Sequence, residues 1–229
     1  MTGDFRSRPL DTAEAHVGVV ARCLSELRFQ SFLLLSSTRV YSRASATQED
    51  AALPMMPADP SDLYNLTKLS GEALCLANRR PDIRVVRMSN VYGARMPAET
   101  FLGQVMREGQ NSGEVTFRQS AASTKDYISV SDVVRLLPAI ATTGRHRIYN
   151  LAAGDNTSHA TIADRLTELT GWRTSFDTDA PTLRHLPIDT TRLTAEFGPS
   201  TSDLWTDLPT LLAIAQEYQC SPSMRPMAA

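Results

Sequence analysis

The chain is expected to form an α/β fold, a parallel sheet flanked by helices, and three observations lead there. Segments with helical and strand-like patterning alternate along the sequence, the order that builds parallel strands joined by crossover helices. Hydrophobic residues make up 42% of the 229 positions, enough for a sizeable core, and charged residues stand at 21%, as in ordinary globular proteins. No internal repeat and no low-complexity block interrupts the pattern, so one domain, or a domain with a small lobe, accounts for the length.

The first helix is expected over residues 12–28, where Ala13, Val17, Val20, Leu24 and Leu27 recur at helical spacing. The apolar run Ser31 to Ser36 then reads as a buried strand, and residues 42–58, rich in Ala, Pro, Ser and Thr, as a loop. Asp59 can cap a helix with Pro60 at its first position and Asp62 in its first turn, reaching to about Arg79. Ile83 to Met88 (IRVVRM) is a second strand, followed by a polar loop through Tyr92, Gly93 and Arg95 and a helix from Glu99 to Arg107. Short strands are expected at 115–117 and 127–130, then a helix from Asp132 that Pro138 interrupts, and a further strand at 147–151. Ser158 can cap a helix that stops near Gly171; another covers 204–218, and residues 219–229 form a loose tail.

Composition removes several function classes. Lys and Arg total 23 against 25 Asp and Glu, a net charge of −2, and the basic residues are scattered, which argues against a nucleic-acid partner. No apolar stretch approaches the ~18 residues of a membrane span. The N-terminus lacks the apolar core of a secretory signal, so a cytoplasmic location is expected. Cys23, Cys75 and Cys220 are odd in number and lack His or Cys neighbours at ligand spacing, so they read as reduced thiols, with no metal site.

Chemistry is concentrated in a few side chains. Tyr64 and Lys68, four apart in a helix, project from one face, where the ammonium favours the phenolate and moves the phenol from its ordinary pKa of about 10 toward the working range. Ser37, at the end of the apolar strand, can hold a substrate hydroxyl at that phenol. Taken alone, a Tyr and a Lys at this spacing more often form a solvated helix face, and a strand-end Ser more often serves its own backbone.

The combination is more specific. The segments SSTRVYS (36–42), YNLTK (64–68) followed by GEAL (71–74), RMSNVYGAR (87–95), KDYISVSDVV (125–134) and YNLAAG (149–154) resemble, in order and at similar separations, signatures of extended short-chain dehydrogenases acting on nucleotide sugars, the NAD-dependent sugar-nucleotide epimerase/dehydratase family. The resemblance covers residues 12 to about 200. It implies a partial Rossmann-like core at 1–92 and 126–152 and a substrate-binding lobe at 93–125 and 153–218. It implies catalytic roles for Ser37, Tyr64 and Lys68, with NAD or NADP contacted by Ser36, Tyr64, Lys68 and Ser89. A nucleotide-sugar substrate would be held by Ser37, Asn90 and Lys125. In the implied reaction Tyr64 phenolate takes a proton from a sugar hydroxyl while the carbon beneath passes hydride to the nicotinamide.

Departures from the family pattern carry their own implications. Sugar-nucleotide 4,6-dehydratases place an Asp-Glu pair directly after the catalytic hydroxyl residue, where this chain has Thr38 and Arg39, which disfavours dehydration relative to epimerisation or simple redox. Lys125 stands where Arg is usual, exchanging a bidentate fork for a point charge. The family's Gly-x-x-Gly-x-x-Gly turn has no counterpart: none of the eleven glycines lies three residues from another. The chain therefore reads as N-terminally truncated, without an evident pyrophosphate site of its own, and with strand 31–36 bare on one edge. Such an enzyme would be impaired or dependent on a polypeptide covering that strand, or on a homodimer formed through helices 12–28 and 61–79. The alternative is a non-catalytic nucleotide-sugar-binding or interaction remnant.

Overall fold

A computed structural model describes residues 5–220, with side chains to residue 216. The central element is a three-stranded parallel sheet in the order β1 (Phe32–Ser37), β2 (Ile83–Met88), β6 (Ile148–Leu151), in register from Phe32↔Ile83 to Ser37↔Met88 and from Val85↔Ile148 to Met88↔Leu151. Both faces are covered. Ile83 and Val85 join Val20 and Cys75 on one side, beneath the helices before and after β1; Val86 joins Val133, Leu136, Ile140 and Leu193 on the other. Two-sided burial explains why β2 reads as a nearly continuous apolar run, whereas β1, expected as a buried strand, is only half-buried at Phe32–Leu34 and leaves Leu35 40% exposed.

The N-terminal helix starts earlier than residue 12 and is divided. Pro9 opens α1 (Pro9–Ala13), a π-helical turn spans Glu14–Gly18, and α2 runs Val19–Glu26. Proline's fixed φ suits a first helical position, which the apolar periodicity alone does not register. The strand is shifted by one residue from 31–36. Helix α3 (Asp62–Ala77) starts two residues later than expected, because Asp59 closes its own turn by accepting Ser61 N at 2.8 Å instead of capping the helix.

Beyond β2 the chain makes β3 (Asn90–Tyr92), α4 (Phe101–Ser112), β4 (Glu114–Phe117), β5 (Thr124–Ser129) and α5 (Val130–Thr143). The segment read as a polar loop thus contains a strand, and Tyr92 is buried, donating to Asp207 at 2.7 Å. Helix α4 begins at a Thr100 cap and runs past 107 to Gly113, which adopts the left-handed φ of 69°. Pro138 does not interrupt α5: the carbonyl it leaves without a partner belongs to Val134, a 66%-exposed position, while Leu136 and Ile140 anchor the buried face.

The remaining elements are β7 (Asn156–Ser158), α6 (His159–Thr170), β8 (Arg173–Phe176), α7 (Thr191–Phe197) and α8 (Leu204–Cys220). Strand β5 pairs parallel with β3 and antiparallel with β7, and β4 pairs parallel with β8. Helices α4, α6 and α8 enclose a second core of Leu102, Val105, Phe117, Ile162, Leu166, Leu208 and neighbours. Helix α8 takes in residues 219 and 220 of the expected tail; 221–229 lie outside the described residues. No described helix is long and apolar enough to cross a membrane. Among the described residues β1 is hydrogen-bonded to a neighbouring strand on one side only.

Candidate active site

The site is built at the C-terminal end of β1. Ser37 closes the strand in extended conformation, and its hydroxyl accepts Arg39 N at 3.2 Å to start the short helical turn Thr38–Tyr41. That turn is anchored by Val40, fully buried, and by Tyr41, whose hydroxyl donates to Asn150 at 2.8 Å.

Helix α3 brings Tyr64 and Lys68 to the same place. Lys68 Nζ donates to the Leu35 carbonyl at 3.0 Å and lies 5.7 Å from the centre of the Tyr64 ring. Gly71 allows the close approach: a Cβ there would sit 2.6 Å from the His16 carbonyl oxygen. The same packing sets the His16 ring edge-on to Tyr64 at 5.1 Å, with Nδ1 2.8 Å from Thr67 Oγ1. Arg39 covers another side of the phenol, its guanidinium 5.5 Å from the Tyr64 ring and 4.9 Å from that of Phe5, with Nη2 donating to Ser61 O at 3.3 Å. Phe5 itself rests 5.6 Å from Tyr64.

Electrostatics follow from this crowding. Burial pushes the Tyr64 phenol up, opposed by its hydrogen bond with Ser37 and by the Arg39 charge. Burial draws the Lys68 ammonium down, opposed by Glu72. His16 is held at about 4 by burial and then by Lys68, so its ring is neutral near pH 7.

Beneath the site lies a buried polar network. The Glu72 carboxylate accepts Arg87 Nη2 at 2.7 Å and the Ser36 hydroxyl, while Arg87 Nη1 donates to Tyr41 at 2.7 Å and to the Glu49 carbonyl at 3.1 Å. Ser36, expected on the cofactor side, therefore has its hydroxyl turned into the core. Alternation along β1 puts it opposite Ser37 and on the face of Phe32 and Leu34 that meets α3.

The other expected contacts group on the neighbouring strands. Asn90 is exposed and donates to Asp126 O at 2.9 Å. Lys125 lies 4.2 Å over the Phe101 ring, drawn down to about 8 by burial and then by Arg39. Asp126 accepts the amides of Ala153 and Gly154 at 3.0 and 2.7 Å. Burial pushes the Asp126 carboxyl up, opposed first by a side-chain hydrogen bond with Ser89, whose hydroxyl is itself buried. Ser37, Tyr64 and Lys68 thus converge, Asn90 and Lys125 meet at β5 with Lys125 near enough to Arg39 for their charges to interact, and the Ser36 hydroxyl is withdrawn. His16, Glu72 and Arg87 were not singled out as site residues; Glu72 and Arg87 stand in the motif segments GEAL and RMSN, but nothing in the sequence marks His16.

The nicotinamide side of a dinucleotide fits these residues: the Lys68 ammonium, the Tyr64 phenol and the buried Ser89 hydroxyl can meet its ribose and amide. The pyrophosphate side finds no glycine turn in this sequence.

Comparison with known proteins is consistent with this geometry. Over 185 residues the chain is 29% identical to a dTDP-glucose 4,6-dehydratase of Streptomyces griseus, an alignment covering 73% of the chain and 53% of that relative. It spans about half the length of the curated relatives it matches. Among solved structures, TunA, an NAD-dependent NDP-hexosamine 5,6-dehydratase, superposes with a TM-score of 0.80 at 20% identity, covering 94% of this chain and 73% of that one. MoeE5 in complex with UDP-glucose and NAD gives 0.79 at 23%, covering 94% and 76%. At these identities the structures speak for the fold alone. The family model for NAD dependent epimerase/dehydratases matches residues 2–152, and the chain belongs to that family.

Proposed function

We propose that the chain carries the catalytic half of an NAD(P)-dependent nucleotide-sugar epimerase or oxidoreductase. The convergence of Ser37, Tyr64 and Lys68 at the end of β1 supports this reading above all else. Ser37 holds the sugar hydroxyl, and Tyr64 takes its proton. The resting phenol is neutral because burial raises it, so the phenolate depends first on the Ser37 hydrogen bond and then on the Arg39 charge, with Lys68 5.7 Å from the ring centre. Lys68 and Ser89 hold the ribose and amide of the cofactor, and Asn90 and Lys125 the sugar and its diphosphate, in a lobe formed by 93–125 and 153–218. When bound, NAD or NADP would serve as hydride acceptor for the sugar carbon. Elimination of water needs a carboxylic acid at the leaving hydroxyl; Thr38 and Arg39 supply none, which favours epimerisation or simple redox over dehydration.

A second reading, nucleotide-sugar or protein binding without catalysis, is supported by the one-sided pairing of β1 among the described residues. Under either reading association is assigned to the β1 edge, or to the outer faces of α2 and α3, where Val19 and Leu74 are exposed.

The test is calorimetric titration with NADH and with UDP-glucose, followed by turnover measurements on Tyr64→Phe. The variant is expected to bind both ligands as the wild type does while losing turnover by about 100-fold or more. Unchanged turnover removes Tyr64 from its role; failure of the wild type to bind NADH, with UDP-glucose still bound, leaves the binding reading.

A further inference from the structure

The surroundings of Arg39 carry an argument about the substrate. Among the described residues its guanidinium, with five N–H donors, makes one side-chain hydrogen bond, to Ser61 O, and no ion pair. The carboxylates nearest it in electrostatic terms are Asp62 and Asp59, and both are already engaged by Arg43, Asp62 at 2.8 Å. Glu72, the carboxylate beside Lys68, is committed to Arg87. Lys125 and Arg6 add further positive charge around Arg39 instead of cancelling it. Arg39, Lys68 and Lys125 therefore leave an uncompensated positive charge around the phenol of Tyr64.

Such a charge, half-buried and lacking a counter-ion, costs free energy unless a ligand supplies an anion. We propose that Arg39 receives a carboxylate carried on the sugar ring, so that the substrate is the nucleotide derivative of a uronic acid; this rests on the reading of Tyr64 as the acid/base. The contact of Arg39 with the ring of Tyr64 favours a group on the sugar ring over the diphosphate, whose proposed holder Lys125 lies on β5. Arg39 follows Ser37 by two residues and touches the Tyr64 ring, so it faces the reacting carbon and the substituent on the next ring carbon. A carboxylate presents two coplanar oxygens to the guanidinium fork; a neutral hydroxymethyl presents one weaker acceptor and leaves the charge unmatched.

The experiment is calorimetric titration of the whole chain with UDP-glucuronate and UDP-glucose, and with the matching dTDP sugars, for the wild type, Arg39→Lys and Arg39→Gln, each checked for native circular dichroism. The uronate is expected to bind the wild type about 10- to 100-fold more tightly than the neutral sugar, the range of a charge-assisted hydrogen bond. Arg39→Gln should abolish that preference by weakening the uronate about 10-fold or more while weakening the neutral sugar far less, and Arg39→Lys should keep part of it. Equal binding of the two sugars by the wild type overturns the proposal and spares the nucleotide-sugar reading. Equal weakening of both by Arg39→Gln also overturns it, by moving Arg39 to the diphosphate. If no sugar nucleotide binds the wild type at all, the reading beneath the proposal falls with it.

Discussion

Replacing Glu72 with Ala tests whether the polar network under Ser37 holds the site together. Arg87 and Glu72 are 3% and 2% exposed, and the carboxylate accepts from both Nε and Nη2 of the guanidinium. Removing it strands a buried charge that keeps only the Tyr41 hydroxyl and the Glu49 carbonyl, and frees the Ser36 hydroxyl as well. Breaking one partner of a buried pair in this way costs about 3–5 kcal/mol. That is a large share of the roughly 5–15 kcal/mol by which a domain is stable. For a chain of this length it lowers Tm by roughly 6–20 °C. Urea denaturation followed by circular dichroism should show the midpoint falling with the slope unchanged. The double variant Glu72→Ala with Arg87→Ala should lose far less than the sum of the two single losses, because the second truncation removes the stranded charge. A single-variant loss under about 1 kcal/mol, or simple additivity, would refute the argument that this pair is desolvated and mutually dependent.

Three further outcomes follow from the same reasoning. His159 is fully buried, and burial and then Lys125 hold it at about 4, opposed by a hydrogen bond to the Gln119 backbone. The unfolded chain takes up this proton near pH 6.5 while the folded one resists it, so stability is complete above that pH and declines toward pH 4, by on the order of 3 kcal/mol in all. His159→Phe should flatten that decline in urea midpoints read between pH 7 and 5, and an unchanged slope counts against it. Lys125, at about 8 in the free chain, should hold a sugar-nucleotide diphosphate less well as pH rises through that value, whereas Lys125→Arg should keep the dissociation constant flat; matching profiles would remove Lys125 from the diphosphate. Asp132 accepts the Ser202 amide at 3.0 Å, the Thr201 amide at 3.1 Å and the Ser200 hydroxyl at 2.7 Å. Asp132→Ala should cost about 3 kcal/mol and speed amide exchange at Thr201 and Ser202 selectively, and uniform exchange would contradict it.

Much of the sheet was legible because strands write themselves as apolar runs, IRVVRM buried on both faces and FLLL only half-buried. The same alternation could have gone further. Residues 83, 85 and 87 share a face, as do 32, 34 and 36, so Arg87 and Ser36 both point at α3 and must find a polar partner there; Glu72 of GEAL is that partner. The three- and four-residue strands β3, β7 and β8 leave too short a pattern to rise above their flanking loops. The continuity of α5 through Pro138 depends on which side of the helix faces water, a tertiary fact. Ser37, Tyr64 and Lys68 were readable as a set because helix spacing and strand end are local. That Arg39 packs between Phe5 and Tyr64 depends on residues 34 and 25 positions away along the chain, and no local pattern records it.

The π-helical turn at Glu14–Gly18 acts as a phase shifter between two rigid rods. Each residue of an α-helix turns the chain by about 100°, and the π turn absorbs about one residue's worth of that rotation. Excising one residue while restoring regular winding would therefore keep the register, whereas winding 14–18 as regular α-helix with every residue kept would rotate everything before it by about that angle relative to α2. Pro9–Ala13 would then point elsewhere, and Phe5 would leave the face of Tyr64. Whether that phenol is covered or open is therefore written into the winding of a single turn, the one that also carries His16 to the Tyr64 ring.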